Sequence, residues 1–265
     1  MSNFIKKVEQ SWIDRKIQLL TGNDSIRVDL EKIFNVVLSG SQKILSFLDI
    51  GCKVLIYGPP GHGKTAIAYE LANKLKKKEG IEASIYEVDL PQLISSRMGD
   101  TAKNITELFN EINEVTKKYY VVVIMDEIEV FFLNRENTHE HPDMNRAVAE
   151  LMNQLDKASL NKNLYIIGLT NYVDKIDSAV RRRFSFQYEI EPPQKEHFLE
   201  FFRTGGFPIE DFIDDEHAVD EICSSFSERA ASFDALKAEL RRWFVRSNLD
   251  QRKATNFLQY LRSIK

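Results

Sequence analysis

Residues 58–65 read Gly-Pro-Pro-Gly-His-Gly-Lys-Thr, directly after the largely apolar run Lys53-Val54-Leu55-Ile56-Tyr57. This is the pattern G-x-x-x-x-G-K-[S/T], placed where a phosphate-binding loop must sit, between a buried strand and a helix. Gly58, Gly61 and Gly63 permit the tight turn that brings backbone N–H groups against phosphate oxygens, with Pro59, Pro60 and His62 completing the loop. A helix expected over 66–78 points the positive end of its dipole at the same anion. Lys64 can reach the β- and γ-phosphates, and Thr65 can offer its hydroxyl to Mg²⁺.

Around this loop, strand patterns alternate with helical ones. Strands are expected over 53–57, 84–88, 120–125, 165–169 and 186–190, with helices over 66–78, 101–117 and 145–157. The run 120–125, Tyr-Val-Val-Val-Ile-Met, is apolar throughout, as a strand covered on both faces should be. Such alternation implies a parallel α/β sheet. Glu191-Pro192-Pro193 breaks the pattern, because a Pro pair cannot continue a central strand. Beyond it only helices are expected, over 194–203, 216–226, 232–246 and 251–264, with Gly205-Gly206-Phe207-Pro208 as a turn. The expected division is an N-terminal helical segment over 1–50, an α/β domain over 51–192 and a helical domain over 193–265.

Bulk properties narrow the remaining classes. Net charge is −4, so no overall basic field attracts nucleic acid or anionic lipid. No stretch approaches the ~20 apolar residues that span a bilayer, and Met1–Trp12 lacks the apolar core of a signal peptide. The only two cysteines, Cys52 and Cys223, form no disulfide framework and no metal-ligand pattern. These features point to a reducing, cytoplasmic setting. His139 and His141 flank a loop, either as solvated residues or as part of a metal site. Lys74–Lys78 and Arg241, Arg242 and Arg246 read as solvated helix faces.

Further chemistry clusters at expected strand ends. Val121–Met125 is followed by Asp126-Glu127, which places two carboxylates at the carboxyl end of a buried strand, the ligand-binding edge of open α/β sheets. Asp126 is expected to hold Mg²⁺ through water, and Glu127 to orient and polarise the attacking water. Glu129 is chemically similar, but the register favours Glu127. Asn171 ends the strand run Ile166–Leu169. It is either a turn residue or a hydrogen-bond donor to the γ-phosphate or the water. Arg181-Arg182-Arg183 is either a solvated patch or an arginine finger acting in trans, a contribution of about 10³–10⁵ in rate that requires an oligomer.

Taken in order, GPPGHGKT, VVVIMDE, GLTN and IDSAVRRRF resemble the phosphate loop, water-activating strand, first sensor and arginine-finger segment of the AAA (AAA+) ATPases. The resemblance covers about 25–265. It implies a P-loop NTPase three-layer α/β sandwich with its parallel sheet ordered 5-1-4-3-2, a small C-terminal helical lid, and a homo-hexameric ring with ATP and Mg²⁺ at each subunit boundary. Arg182 and Arg183 match the two finger arginines of that family, and Arg146 matches a helix bordering the adjacent subunit. Arg97-Met98-Gly99 resembles the central-pore loop that grips a threaded chain, with Arg97 in place of the usual aromatic. Ala230 or Ala231 falls where adenine would pack.

The implied activity is Mg²⁺-dependent ATP hydrolysis that remodels, disassembles or partly unfolds a protein partner. IDSAVRRRF is similar to the ESCRT-disassembly and microtubule-severing members. Asp-Glu-Ile-Glu and the Gln-Tyr-x-x-x-Pro-Pro ending resemble the pachytene-checkpoint members, which remodel HORMA-domain proteins. The alternative is a nucleic-acid-associated ATPase of the initiator or helicase-loader type. Net negative charge and the lack of a DNA-binding appendage speak against it.

Overall fold

In a computed structural model of the chain, the structure describes residues 3–18, 20–48, 50–78, 80–95, 97–133, 142–159, 161–203, 212–247 and 253–264. The turn expected at 205–208, together with His139 and His141, lies outside the described residues.

Six strands form one sheet: β1 (Ile5–Lys7), β2 (Lys53–Tyr57), β3 (Ala83–Val88), β4 (Tyr120–Met125), β5 (Leu164–Thr170) and β6 (Phe186–Glu189). Their order is β1-β3-β4-β5-β2-β6. The five strands β2–β6 are parallel and follow the expected 5-1-4-3-2 order. The short β1 adds an antiparallel edge, pairing Ile5 with Val88 and Lys7 with Tyr86. Only helices were expected in residues 1–50, so β1 is an addition. It is held by pairing to β3, not by a long apolar pattern of its own.

Within residues 1–50 lie helices α1 (Gln10–Ile17), α2 (Asp24–Ser39) and α3 (Gln42–Phe47). The middle of the chain carries α4 (Lys64–Lys76), α5 (Leu90–Leu93), α6 (Asp100–Thr116), α7 (Val130–Leu133), α8 (Pro142–Ala158) and α9 (Ser178–Arg181). The C-terminal part is α10 (Lys195–Arg203), α11 (Glu216–Glu228), α12 (Phe233–Arg246) and α13 (Ala254–Ser263).

The side-chain alternation of β4 explains the layering. Val121, Val123 and Met125 join α5, α6 and α8 on one face, through Leu108, Ile112, Val148 and Leu151. Val122 and Ile124 join α1, α2 and α4 on the other, through Ile13, Leu30, Phe34, Ile67 and Leu71. Val121–Ile124 are completely buried, which is why this strand carries no polar side chain until its end. Successive residues of a strand face opposite sides, so two separate cores hold the carboxyl end of β4 in place. At about 25 cal/mol per Å² of buried apolar surface, each such Val or Ile contributes roughly 1.5–3 kcal/mol.

The helices after Pro193 build a core of their own from aromatic residues. Phe198, Phe201, Phe202, Phe212, Phe226, Trp243 and Phe257 are buried there, with the Phe202 and Phe212 rings stacked at 5.3 Å.

Candidate functional site

Gly58 leaves β2 with φ at +144°. A Cβ there would stand 2.6 Å from the Ile190 carbonyl oxygen, so only glycine fits between the loop and the end of the neighbouring strand. Gly61 also has positive φ, and a Cβ on it would meet Ser232 Oγ at 2.8 Å. The loop is therefore pinned between the sheet and the start of α12. Gly63 then caps α4, which begins at Lys64. Lys64 is buried, and its Nζ donates to the carbonyls of Gly58 and Pro59, each at 2.8 Å. Burial pushes its ammonium below the ordinary lysine value, while Asp126 and Glu129 pull it back up. His62 Nδ1 lies 3.0 Å and 2.9 Å from the carbonyls of Pro59 and Pro60, which fastens the loop to itself.

Parallel pairing of β2 with β5 and of β5 with β4 brings three strand ends to one edge. Thr65 Oγ1 donates to Asp126 Oδ2 at 3.0 Å. Asp126 Oδ1 accepts the Glu127 N–H at 2.9 Å, and the Ile128 N–H donates to the Leu169 carbonyl at 3.1 Å. These bonds hold Glu127 in a left-handed conformation, φ 55°, with its side chain exposed. Left-handed φ is uncommon outside glycine and is often found where function constrains the backbone. Glu129 is 3% exposed, and its Oε1 accepts the Asn171 N–H at 3.2 Å. The two nearby glutamates therefore differ in setting: Glu127 faces the cleft and Glu129 braces the segment that carries Asn171.

One cleft of about 400 Å³ gathers Pro60–Thr65, Asp126, Glu127 and Asn171. Gly58 and Pro59 lie behind it and present their carbonyls to Lys64. The cleft also includes residues that sequence reasoning did not single out: Arg15, Lys16, Leu20 and Thr21 from the N-terminal part, and Phe233, Asp234 and Lys237 from α12. Ala230 and Ala231 do not line it. Ala230 turns with φ at +49°, and Ala231 packs on the aromatic core. The Ser232 side chain accepts the Ala235 N–H at 3.1 Å, which starts α12 beside the loop. That cap was the available signal.

Arg182 and Arg183 do not line this cleft. Arg182 is exposed. Arg183 donates to the Ala179 carbonyl at 2.7 Å and pairs with Asp156 Oδ1 at 3.3 Å. Arg97 and Met98 are exposed, Met98 at 75%, in the turn before α6. The Gly99 N–H donates to Asp143 Oδ2 at 3.0 Å, tying this turn to the start of α8. Arg146, on the same helix, is exposed and 3.9 Å from Asp143.

The Thr65 hydroxyl and the Asp126 carboxylate converge as hard oxygen donors, a set that suits Mg²⁺. Among the described residues, no cluster of three or more His, Cys, Asp or Glu could hold a metal by itself. This fits a cation bound by one or two protein groups together with phosphate oxygens. No described helix is long and apolar enough to cross a membrane.

Comparison with known proteins agrees with this geometry. The model of the ATPase family associated with various cellular activities (AAA) matches residues 54–192. The chain is 32% identical over 154 residues to the AAA ATPase forming ring-shaped complexes of Corynebacterium diphtheriae, covering 56% of this chain and 30% of that one. It spans about a quarter to two fifths of the length of such curated relatives. Among solved structures it shares its fold with one described as the E. coli MS115-1 HORMA:CdnC:Trip13 complex, at a TM-score of 0.71 and 18% identity, over 83% of this chain and 79% of that one. It also shares the fold of C. elegans PCH-2, at a TM-score of 0.68 and 17% identity, over 96% of this chain and 72% of that one.

Proposed function

We propose that this chain, which belongs to the AAA family of ATPases, hydrolyses ATP in a homo-hexameric ring and uses the cycle to remodel a protein partner at the central pore. The observation that carries this reading is the split between two sets of residues. Lys64, Thr65, Asp126, Glu127 and Asn171 share one cleft, whereas Arg182 and Arg183 stand outside it. A chain so arranged holds the nucleotide itself and takes its finger arginines from a neighbour.

In this reading, backbone N–H groups of residues 61–65 and the Lys64 ammonium bind the phosphate chain. Fixed donors placed before the reaction are worth more than water dipoles that must reorganise. Thr65 and, through water, Asp126 would hold Mg²⁺, which supplies charge neutralisation of the phosphates when bound. Glu127 accepts a hydrogen bond from the attacking water and takes its proton. Asn171 donates to the γ-phosphate or to that water. Arg182 and Arg183 of the adjacent protomer meet the charge that develops on the transferring group.

The partner is held at Arg97, Met98 and Gly99. Met98 supplies an adaptable apolar contact, and Arg97 a planar head on an apolar stem. The fold shared with the Trip13-containing complex supports a HORMA-domain protein as the partner class. The test is a pull-down with Glu127→Gln in ATP. A HORMA-domain protein retained in ATP and released in ADP supports the reading. Retention independent of nucleotide, or of Arg97→Ala/Met98→Ala, counts against it.

A further inference from the structure

The N-terminal helix reaches the cleft in a way that the phosphate-loop pattern does not call for. Gln10 at the start of α1 donates to Asn73 Oδ1 at 2.9 Å and accepts from Lys76 Nζ at 2.9 Å. Asn73 and Lys76 lie at the end of α4, so the two helices run in opposite directions. Ile13, fully buried with Ile67, Ala68 and Leu71, locks them together. The last turn of α1 therefore arrives at the first turn of α4, where the phosphate loop ends. That turn carries Arg15 and Lys16, both on the cleft wall.

Among the described residues, no carboxylate lies within ion-pair distance of Arg15 or Lys16. Each is instead set over the Trp12 ring, Arg15 at 5.9 Å and Lys16 at 4.9 Å from its centroid. Trp12 thus gives the two long side chains a preferred direction without cancelling their charge. Two free positive charges at the rim of a cleft that receives a polyanion raise its local concentration and shorten its path to bound contacts.

We infer that Arg15 and Lys16 are nucleotide-binding residues supplied in cis by α1, acting on the phosphate chain in addition to Lys64. This rests on the reading of the cleft as a nucleotide site. The ligand class is a nucleoside di- or triphosphate, and the contribution grows with the number of phosphate charges.

The test is direct binding of fluorescent ATP and ADP analogues, without turnover, to the full chain and to Arg15→Gln/Lys16→Gln. The variant should weaken ATP binding by about tenfold or more, as expected for losing charge-assisted bonds, and ADP binding by less. Melting temperature should be unchanged, because both side chains are exposed. Trp12→Ala, which leaves the charges but removes their support, should give a smaller loss in the same order. ATP and ADP affinities within twofold of the parent would overturn the inference, as would equal losses for both nucleotides. A parent chain that binds neither analogue would instead overturn the nucleotide-site reading itself. Should the double variant melt early, Arg15→Lys and Lys16→Arg, which keep the charge, must restore affinity.

Discussion

Thr65 and Asp126 are hydrogen-bonded at 3.0 Å although 61 residues separate them in the chain. The bond joins the first turn of α4 to the end of β4, the two places from which the proposed Mg²⁺ ligands come. Changing Asp126→Asn keeps the shape and removes the charge. We expect Mg²⁺ to be needed at about 10- to 100-fold higher concentration for ATP turnover. Titrating Mg²⁺ at fixed ATP checks this, and an unshifted titration would refute the metal assignment.

Glu127 and Glu129 should separate cleanly. Glu127→Gln removes the group proposed to accept the water proton, so turnover should fall by about 10²-fold or more with ATP affinity retained. Glu129→Ala leaves the Asn171 N–H without its acceptor in a buried setting and should cost about 1–3 kcal/mol of stability. Paired denaturant titrations and single-turnover assays distinguish the two. A stability loss at Glu127 with normal turnover would reverse the roles.

Much of this site was legible in the chain because its residues follow apolar strands. β4 ends at Met125, just before Asp126, because a strand covered on both faces carries no charge until it leaves the core, and the loop at 58–65 is bracketed by β2 and α4. Other parts were not legible for local reasons. β1 is three residues long with one buried position and two lysines, too short for alternation to show. Arg15 and Lys16 belong to a helix whose neighbour is set by long-range contacts, Ile13 packing on α4 and Gln10 bonding to Asn73 and Lys76. At Ala230 and Ala231, the family resemblance implied an adenine contact, but the left-handed turn at Ala230 redirects the chain so that Phe233 and Asp234 face the cleft.

Arg27 and Glu70 bind α2 to α4 through two short bonds, Nε to Oε2 at 2.7 Å and Nη2 to Oε1 at 2.6 Å. Burial raises the Glu70 carboxyl, but the bonds and charge of Arg27, joined by those of Lys74, outweigh it, so its value in the folded protein falls below the ordinary one. The sign follows: this contribution is present above the unfolded carboxyl value, near 4.5, and is lost as pH falls through the lower folded value. Arg27→Ala should cost about 1–3 kcal/mol at neutral pH. That deficit should shrink in acid, measured by denaturant midpoints from pH 7 down to about 3. A deficit constant with pH would contradict the pairing.

Burial, with a further push from Asp220, raises the Cys223 thiol to about 12, and burial alone raises Cys52 well above its ordinary value. An ordinary thiol ionises near ~8.5, so at that pH both should stay protonated and unreactive. Iodoacetamide should label neither cysteine in the native protein and both after guanidinium unfolding, as read by intact mass. Rapid native labelling would show that the thiols are accessible.

The most direct measurement mixes two inactive variants, Lys64→Ala and Arg183→Ala, at varied ratios and follows ATP turnover, with co-assembly established by affinity capture of one tagged variant. In a mixed ring, an intact Lys64 site of one subunit adjoins an intact Arg183 of the next. The account predicts that turnover reappears in mixtures and peaks at intermediate ratios. Mixed rings that form yet stay inactive at every ratio would contradict it, as would an Arg183→Ala protein that hydrolyses ATP at the parent rate.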